Sequence, residues 1–154
     1  MGEPISLRRA SEADAAEVAA LVHEAYGKWV PVMGCQPTPM TVDYHHTIRT
    51  HRFDLLYAGE ALAGLIETVP DGDCLLIVNV AIRPAFQGRG LGRRLMALAE
   101  DIAAAAALPG LRLYTNALMG ENIRLYEKLG YRREREEQWS VGTAIFMTKS
   151  LPTI

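Results

Sequence analysis

The pattern of apolar and polar positions in the first third of the chain predicts one strand followed by helices. Residues Ile5 to Arg9 alternate between apolar and polar side chains, which indicates a short strand. Ser11 followed by Asp14 is typical of a helix start. The buried face of that helix is expected to consist of Val18, Leu21, Val22 and Ala25. The prolines and the glycine between Trp29 and Pro39 predict a loop, and a short second helix is expected within Thr41 to His51.

The middle of the chain predicts a hairpin, a buried strand and a long helix. Leu55 to Ala58 and Ala61 to Thr68 flank Gly59-Glu60, the pattern of two strands around a tight turn. Residues Leu75 to Ile82 are almost continuously apolar and rich in branched side chains, which suits a strand covered on both faces. Apolar residues then recur at steps of four, three and four, so they predict the buried stripe of a helix. That stripe consists of Leu91, Leu95, Leu98 and Ile102.

The last third of the chain predicts a parallel strand, a helix and a closing hairpin. Leu111 to Asn116 alternates and is expected to pair in parallel with Leu75 to Ile82, with the long helix as the crossover. A last helix is expected over Glu121 to Leu129. Two more alternating stretches, Tyr131 to Gln138 and Val141 to Leu151, predict an antiparallel hairpin. The fold class is therefore mixed α/β.

Composition restricts the function classes. The 154 residues are 49% hydrophobic and 22% charged, which fits one globular domain over residues 1–154. A net charge of -2 gives no basic stripe for a nucleic-acid backbone, so no nucleic-acid partner is expected. Cys35 and Cys74 are far apart, and neither a disulfide framework nor a metal site is expected. Because no apolar run is long enough to span a membrane and no signal segment is evident, we expect a cytoplasmic protein with no membrane partner.

A glycine-rich loop, Gln87-Gly88-Arg89-Gly90-Leu91-Gly92, joins the buried strand to the long helix. Its glycines let the backbone turn tightly and approach a ligand closely. A loop that opens a helix in this way leaves several N–H groups unpaired at the positive end of the helix dipole, which favours phosphate. The third glycine of the Rossmann fingerprint is missing and no Walker Gly-Lys-Ser/Thr occurs in the chain. A glycine-rich turn without a ligand is the alternative.

Two motifs in this sequence resemble those of the GNAT superfamily of acyl-CoA-dependent N-acetyltransferases. Gln87-x-x-Gly90-x-Gly92 after an apolar strand is similar to the family's pyrophosphate loop. Asn122-x-x-x-Tyr126 followed by Gly130-Tyr131 is similar to its cofactor-contacting helix. The resemblance covers most of the chain. It implies the GNAT fold, in which a mixed, mostly antiparallel sheet has a parallel central strand pair splayed around the cofactor and helices on both faces.

The resemblance also implies which residues bind acetyl-CoA, with no metal required. The strand would give backbone groups to the pantetheine arm, the loop would hold the pyrophosphate, and Asn122 would hydrogen-bond the arm. The implied cofactor-binding residues are Val80, Ala81, Ile82, Gln87, Gly88, Arg89, Gly90, Leu91, Gly92, Arg93, Asn116, Asn122 and Tyr126. In the family, the N–H at the position of Val80 also polarises the thioester carbonyl. Arg89 is the expected side-chain contact to phosphate.

The catalytic residues are less completely indicated. By the resemblance, the Tyr126 hydroxyl faces the CoA sulfur and is the candidate general acid, while a half-buried core tyrosine is the alternative. An amine must be neutral to attack, so a base is required. The better-understood branches of the family carry a glutamate near the start of the central strand, whereas Leu75 to Val78 contains none. Glu67 on the neighbouring strand is the leading substitute, with an exposed strand residue as the alternative, and His45 or His46 is the second choice.

The acceptor is the least determined part of the prediction. Asn79 interrupts the apolar strand, and because a buried amide without partners costs about 1–3 kcal/mol, it either serves the acceptor pocket or makes a structural hydrogen bond. Tyr26 and His45 are further candidate substrate-binding residues. We expect transfer of an acetyl group from acetyl-CoA to a primary amine of a small molecule, peptide or protein, by direct attack in a ternary complex. The alternative is a non-catalytic acyl-CoA-binding or sensing module. Members of the family often dimerise, so the resemblance also allows a homodimer.

The predicted phosphate loop can be tested by Gly90→Asp. The substitution places a side chain and a negative charge where the pyrophosphate is expected, so CoA binding should be lost while the fold is retained. Calorimetry measures the affinity for CoA and circular dichroism reports the fold. Unchanged affinity would refute the assignment.

Overall fold

Seven strands form one sheet in a computed structural model, which describes residues 3–140 and 142–152. The strands are Ile5–Arg9 (β1), Arg52–Ala58 (β2), Ala61–Asp71 (β3), Cys74–Ile82 (β4), Gly110–Asn116 (β5), Arg132–Trp139 (β6) and Gly142–Ser150 (β7). Their order across the sheet is β1-β2-β3-β4-β5-β7-β6. The pair β4 and β5 is parallel and the other neighbours are antiparallel, which confirms the mixed, mostly antiparallel sheet. Val141, where the last strand was expected to begin, lies outside the described residues.

Five α-helices and four short 3-10 helices connect the strands in the described part of the chain. The α-helices are Ala15–Tyr26 (α1), Val30–Met33 (α2), Tyr44–Thr47 (α3), Leu91–Ala105 (α4) and Gly120–Lys128 (α5). The 3-10 helices are Glu12–Asp14, Gly27–Trp29, Thr38–Thr41 and Pro84–Phe86. None of these helices is long and apolar enough to cross a membrane. Two predicted helices are confirmed: the long crossover helix, which is α4, and the helix before the closing hairpin, which is α5.

The loop predicted from Trp29 to Pro39 is partly wrong, because it contains a helical turn. Pro31 lies in the first turn of α2, where a missing N–H breaks no helical hydrogen bond. Gly34 then ends α2 in the left-handed conformation, with φ of 75°. The second helix expected within Thr41 to His51 is a single turn, α3, and its first N–H groups are capped by the Asp43 side chain, which accepts from His45 N.

The buried face of α4 differs from the predicted stripe. Leu91 and Leu95 are buried as expected, but Leu98 and Ile102 lie only partly buried at the edge of the core. The remaining buried positions are Met96, Ala99 and Ala103. Residues 91, 95, 99 and 103 follow one another at steps of four, and the small alanines allow the helix to lie close to the sheet.

Helices cover both faces of the sheet, as predicted. Adjacent strand residues point to opposite faces, so Leu55 and Leu65 pack with the α1 side while Leu56 and Ile66 pack with the α4 side. The hydrophobic residues of the two faces form two separate core clusters. The sheet is therefore a buried central layer.

The central strands β4 and β5 pair over only four residues in the described chain. The pairs run from Cys74 with Gly110 to Ile77 with Leu113, and beyond them each strand continues without the other. Next to this point the register of β3 against β4 shifts, which leaves Val78 as an extra residue in β4. The strands therefore splay apart, as the family resemblance implied, and open a gap inside the sheet.

The close contact of β3 with the end of β4 can be tested by Gly64→Ala. A Cβ on Gly64 would lie 2.5 Å from Ile82 Cδ1 and 2.9 Å from the Ala81 carbonyl oxygen. We expect the overpacking to lower the free energy of unfolding by about 1–3 kcal/mol, measured by urea denaturation.

The matched control is Gly27→Ala. Gly27 has a helical conformation and its Cβ would meet nothing within 4 Å. We expect this variant to be as stable as the wild type or about 0.5–1 kcal/mol more stable. Equal effects of the two substitutions would contradict the proposed close contact.

Candidate active site

Two cavities meet where β4 and β5 separate. The first, which we name the loop cavity, has a volume of about 340 Å³ and lies between the glycine loop, the end of β4 and α5. The second, the inner cavity, has a volume of about 260 Å³ and extends between the splayed strands toward the segment before β2. Both cavities are lined by Tyr26, Val80, Asn122 and Tyr126. The two cavities are therefore neighbours that share these four residues.

The glycine loop has the geometry that an anion site requires. Gly88 and Gly90 have φ of 80° and 77°, a region that favours glycine, and Gly90 is the residue just before α4. A Cβ on Gly88, Gly90 or Gly92 would meet nothing within 4 Å, so open space lies beside the loop. The N–H groups of residues 91–93 precede the first helical hydrogen bond, which Arg94 N donates to Gly90 O at 3.3 Å. These groups are available to a phosphate.

Most of the predicted cofactor-binding residues line these cavities, with one exception among the arginines. Arg93 lines the loop cavity. The Arg89 side chain instead stacks over Phe86, with 5.1 Å between its guanidinium carbon and the ring centroid, and lies 3.6 Å from Glu3. The Gln87 side chain donates a hydrogen bond to Ile82 O at 3.1 Å and so fixes the loop to the end of β4. Arg93 is therefore better placed than Arg89 to contact a phosphate.

The helix α5 brings Asn122 and Tyr126 to the junction of the two cavities. Tyr126 is half-buried, and its ring lies 6.1 Å from that of Tyr131. Burial raises the pKa of Tyr126 to about 12, so the hydroxyl stays protonated near neutral pH. Asn116 lines the inner cavity, and its side-chain oxygen accepts a hydrogen bond from Leu118 N at 2.9 Å. Tyr126 thus packs against the core and also reaches the cavity wall.

Glu67 is buried, so the alternative of an exposed strand residue is wrong. Its side chain is 3% exposed and lines the inner cavity. Burial raises the pKa of Glu67, and hydrogen bonds with His51 and Asn79 oppose that rise. His51 Nδ1 lies 2.6 Å from Glu67 Oε2, and the His51 side chain is 30% exposed. His51 therefore connects the buried carboxylate with solvent.

In the structure, His51 rather than the predicted His45 lines the inner cavity. The His45 side chain is 71% exposed and is not among the residues that line either cavity. His51 directly precedes β2, and Phe53 in that strand pairs with Glu67 in β3. No motif around His51 indicates this contact, which depends on the register of the hairpin.

Asn79 is paired with two tyrosine hydroxyls. Its Oδ1 accepts from the Tyr26 hydroxyl at 2.7 Å, and its Nδ2 donates to the Tyr44 hydroxyl at 3.4 Å. The Tyr44 hydroxyl donates to Pro39 O at 2.7 Å. These bonds satisfy the buried amide and tie α1 and the segment before α3 to β4. Tyr44 was missed in the sequence because its pattern is that of a core aromatic residue.

The structure supplies a matched control for Gly90→Asp. Gly72, in the turn between β3 and β4, has φ of 63°, and its Cβ would also meet nothing within 4 Å. Gly72→Asp therefore introduces the same charge and a similar backbone strain away from both cavities. Loss of CoA affinity in Gly90→Asp but not in Gly72→Asp would assign the effect to the loop.

No metal site accompanies this arrangement in the residues that the structure describes. They contain no group of three or more His, Cys, Asp or Glu side chains placed to hold an ion.

Solved structures with the same fold are numerous. A PaiA N-acetyltransferase from Thermoplasma acidophilum in complex with coenzyme A aligns with a TM-score of 0.82 at 18% identity, over 96% of this chain and 99% of that chain. The ribosomal-protein-S18-alanine N-acetyltransferase from Escherichia coli aligns with a TM-score of 0.78 at 19% identity, over 98% and 96% of the two chains. An acetyltransferase from Thermus thermophilus aligns with a TM-score of 0.73 at 20% identity, over 98% and 100%. At these identities the similarity shows the fold.

The sequence itself identifies the family. No curated protein sequence matches the chain significantly. Residues 18–131 match the model of the acetyltransferase (GNAT) family, and this segment contains the glycine loop, α4 and α5. Since the match spans well over half of the chain, the protein belongs to the acetyltransferase (GNAT) family and is an acyltransferase.

Proposed function

We propose that this enzyme transfers the acetyl group of acetyl-CoA to a primary amine by direct attack in a ternary complex. The observation that carries the proposal is that the buried carboxylate of Glu67 and the hydroxyl-bearing ring of Tyr126 line the same inner cavity. Membership of the family supports acyl transfer. The absence of a glutamate from Leu75 to Val78 was the sequence argument for a non-catalytic module, and Glu67 weakens that argument because it supplies a carboxylate from the next strand.

The residues of the loop cavity fit a CoA pyrophosphate. The N–H groups of residues 91–93 and the Arg93 side chain would hold its charge, since open space adjoins the loop glycines. The end of β4 from Val80 to Ile82 and the Asn122 amide, which line the loop cavity, would position the pantetheine arm. Acetyl-CoA, when bound, supplies the acetyl group as a reactive thioester.

Glu67 is proposed as the general base. The transfer forms one N–C bond and breaks one C–S bond, while the amine loses a proton and the thiol leaving group gains one. The Glu67 carboxylate would take the proton from the acceptor amine, and its raised pKa makes it a better base than an exposed glutamate. His51, at 2.6 Å from Glu67, would orient the carboxylate and pass the proton to solvent.

Tyr126 is proposed as the general acid. Tyr126 lines both cavities, and its hydroxyl holds its proton near neutral pH, which is far below its raised pKa of about 12. It would donate this proton, or a hydrogen bond, to the departing sulfur. Glu67 and Tyr126 therefore have opposite proton-transfer roles in one cavity.

Glu67→Gln tests the base. We expect kcat/KM for an accepted amine to fall by about 10²–10⁴-fold, because glutamine accepts no proton. In the wild type, kcat/KM should decrease as the pH falls through the pKa of Glu67, which burial raises above the ordinary value of about 4.3. The part of this decrease that Glu67 causes should be absent from the variant, whereas the decrease caused by protonation of the free amine should remain in both proteins. A thiol-release assay over a pH series measures both effects.

The control for this substitution is Glu60→Gln. Glu60 lies exposed in the turn between β2 and β3 and lines neither cavity. Its rate and pH profile should match those of the wild type. An unchanged profile in Glu67→Gln would exclude Glu67 as the base.

Tyr126→Phe tests the acid. We expect kcat to fall by about 10²-fold while the affinity for CoA, measured by calorimetry, changes by less than about threefold. Tyr131→Phe is the matched control, because the Tyr131 hydroxyl is buried without a hydrogen-bond partner in the described residues. Its removal should leave kcat unchanged. Equal activity of the two variants would argue that Tyr126 serves only as a core residue.

A further inference from the structure

The walls of the inner cavity differ from those expected around a highly charged or peptide substrate. Among its described lining residues, Glu67 is the single carboxylate, and no lysine or arginine is present. A substrate carboxylate would therefore be buried beside Glu67 without a strong cationic partner. A second ammonium group would likewise lack a carboxylate. Both arrangements are costly, because a buried charge requires a partner.

Three polar side chains of the cavity wall are bonded to one another in a chain. The Tyr26 hydroxyl donates to Asn79, Asn79 donates to Tyr44, and Tyr44 donates to the backbone at Pro39. A peptide backbone needs free donors and acceptors of this kind, since its own N–H and C=O groups must be paired when they are buried. The hydroxyl protons of Tyr26 and Tyr44 are already used within the wall, so these two groups are not free donors to a peptide.

Most of the remaining surface of the inner cavity is apolar and aromatic, although threonine and asparagine side chains also contribute to it. The apolar lining residues belong to two parts of the chain: the segment before α3, and β5 with the residues that follow it. They include Met33, Pro37, Pro39, Val42, Leu113 and Met119. Such walls bind the apolar body of a ligand, while a few polar groups fix its orientation.

Two exposed aromatic rings continue this surface outward. Tyr114 is 37% exposed and Trp139 is 39% exposed, and both line the inner cavity. Their ring centroids lie 5.2 Å apart in an edge-to-face arrangement. The Trp139 indole N–H is already paired with Glu137 at 3.0 Å. The rings therefore offer a positioned apolar surface for contact with a ligand.

From these four features we infer that the acceptor is a small primary amine that carries one positive charge on an apolar, ring-sized body. Its ammonium group would pair with Glu67, and its body would lie between the apolar walls and the rings of Tyr114 and Trp139. A cavity of about 150 Å³ holds a benzene ring, so the inner cavity, with about 260 Å³, has room for such a body and for the acetyl end of the donor. The inference rests on the proposed function, because it identifies the acceptor of that reaction.

The experiment uses amines that differ by one charge. The full chain is assayed by thiol release with acetyl-CoA and 2-phenylethylamine, against phenylalanine, which adds a carboxylate. Hexylamine is compared with 1,6-diaminohexane, which adds a second ammonium group. A peptide with an N-terminal alanine represents a protein acceptor. We expect kcat/KM to be at least about tenfold higher for each monoamine than for its charged partner and for the peptide. A preference for phenylalanine, diaminohexane or the peptide would overturn the inference.

A variant pair tests the aromatic rings separately. Trp139→Ala should raise the KM for 2-phenylethylamine by about tenfold and leave the affinity for CoA unchanged, because the ring contacts only the acceptor in this arrangement. Leu7→Ala is the control, since Leu7 is also a large exposed apolar residue but lines neither cavity. An unchanged KM in Trp139→Ala would remove the rings from the acceptor site.

A failure of the proposed reaction is distinguishable from a failure of this inference. If no amine is acetylated, calorimetry measures the binding of 2-phenylethylamine and of phenylalanine to the CoA-saturated protein. Binding of the amine alone would support the acceptor class while rejecting transfer. Equal binding of the two compounds, or binding of neither, would overturn the acceptor class.

Discussion

The separation of β4 from β5 is the constraint on which the rest of the site depends. The two strands pair from Cys74 to Ile77 and from Gly110 to Leu113, and then diverge. Backbone groups that a sheet would normally pair are released on the facing edges of both strands, and such groups require new partners. The inner cavity occupies the gap, and α5 lies at its mouth with Asn122 and Tyr126. A continuous parallel pair would have closed this space with ladder hydrogen bonds.

The buried carboxylate of Glu67 is the costly part of this arrangement. A charged group with 3% of its side chain exposed loses most of its hydration, and that loss explains the rise in its pKa. The shift of register at Val78 places Glu67 opposite Asn79, while His51 lies at 2.6 Å from the carboxylate. Perturbed groups of this kind concentrate at functional sites. The same partners that reduce the cost also hold the carboxylate toward the cavity.

The fold could be predicted from the sequence to the extent that its patterns are local. The hairpin of β2 and β3, the crossover through α4 and the closing hairpin follow from alternation, turn residues and helical spacing. The predicted apolar stripe of α4 contained Leu98 and Ile102 where the buried face has Ala99 and Ala103. Leucine and isoleucine are more hydrophobic than alanine, so a hydrophobicity pattern favours them. Ala99 and Ala103 are buried against the sheet because their small side chains permit the helix to approach it closely. The prolines between Trp29 and Pro39 led to the prediction of a loop, but proline is compatible with the first turn of a helix, and α2 has a proline there.

The sequence alone determined the candidate phosphate loop, because the geometry of this loop depends on residues within one short stretch. Gly88 and Gly90 adopt the left-handed backbone conformation, and the first turn of the helix that follows has free N–H groups. Neither feature depends on contacts with distant parts of the chain. Only the tertiary structure decided which residues are the candidate catalytic and acceptor groups. His51 meets Glu67 across 16 positions and Tyr26 meets Asn79 across 53, through strand register and the docking of α1 on the sheet. No local pattern encodes such contacts, since they arise when distant segments bury their apolar faces together.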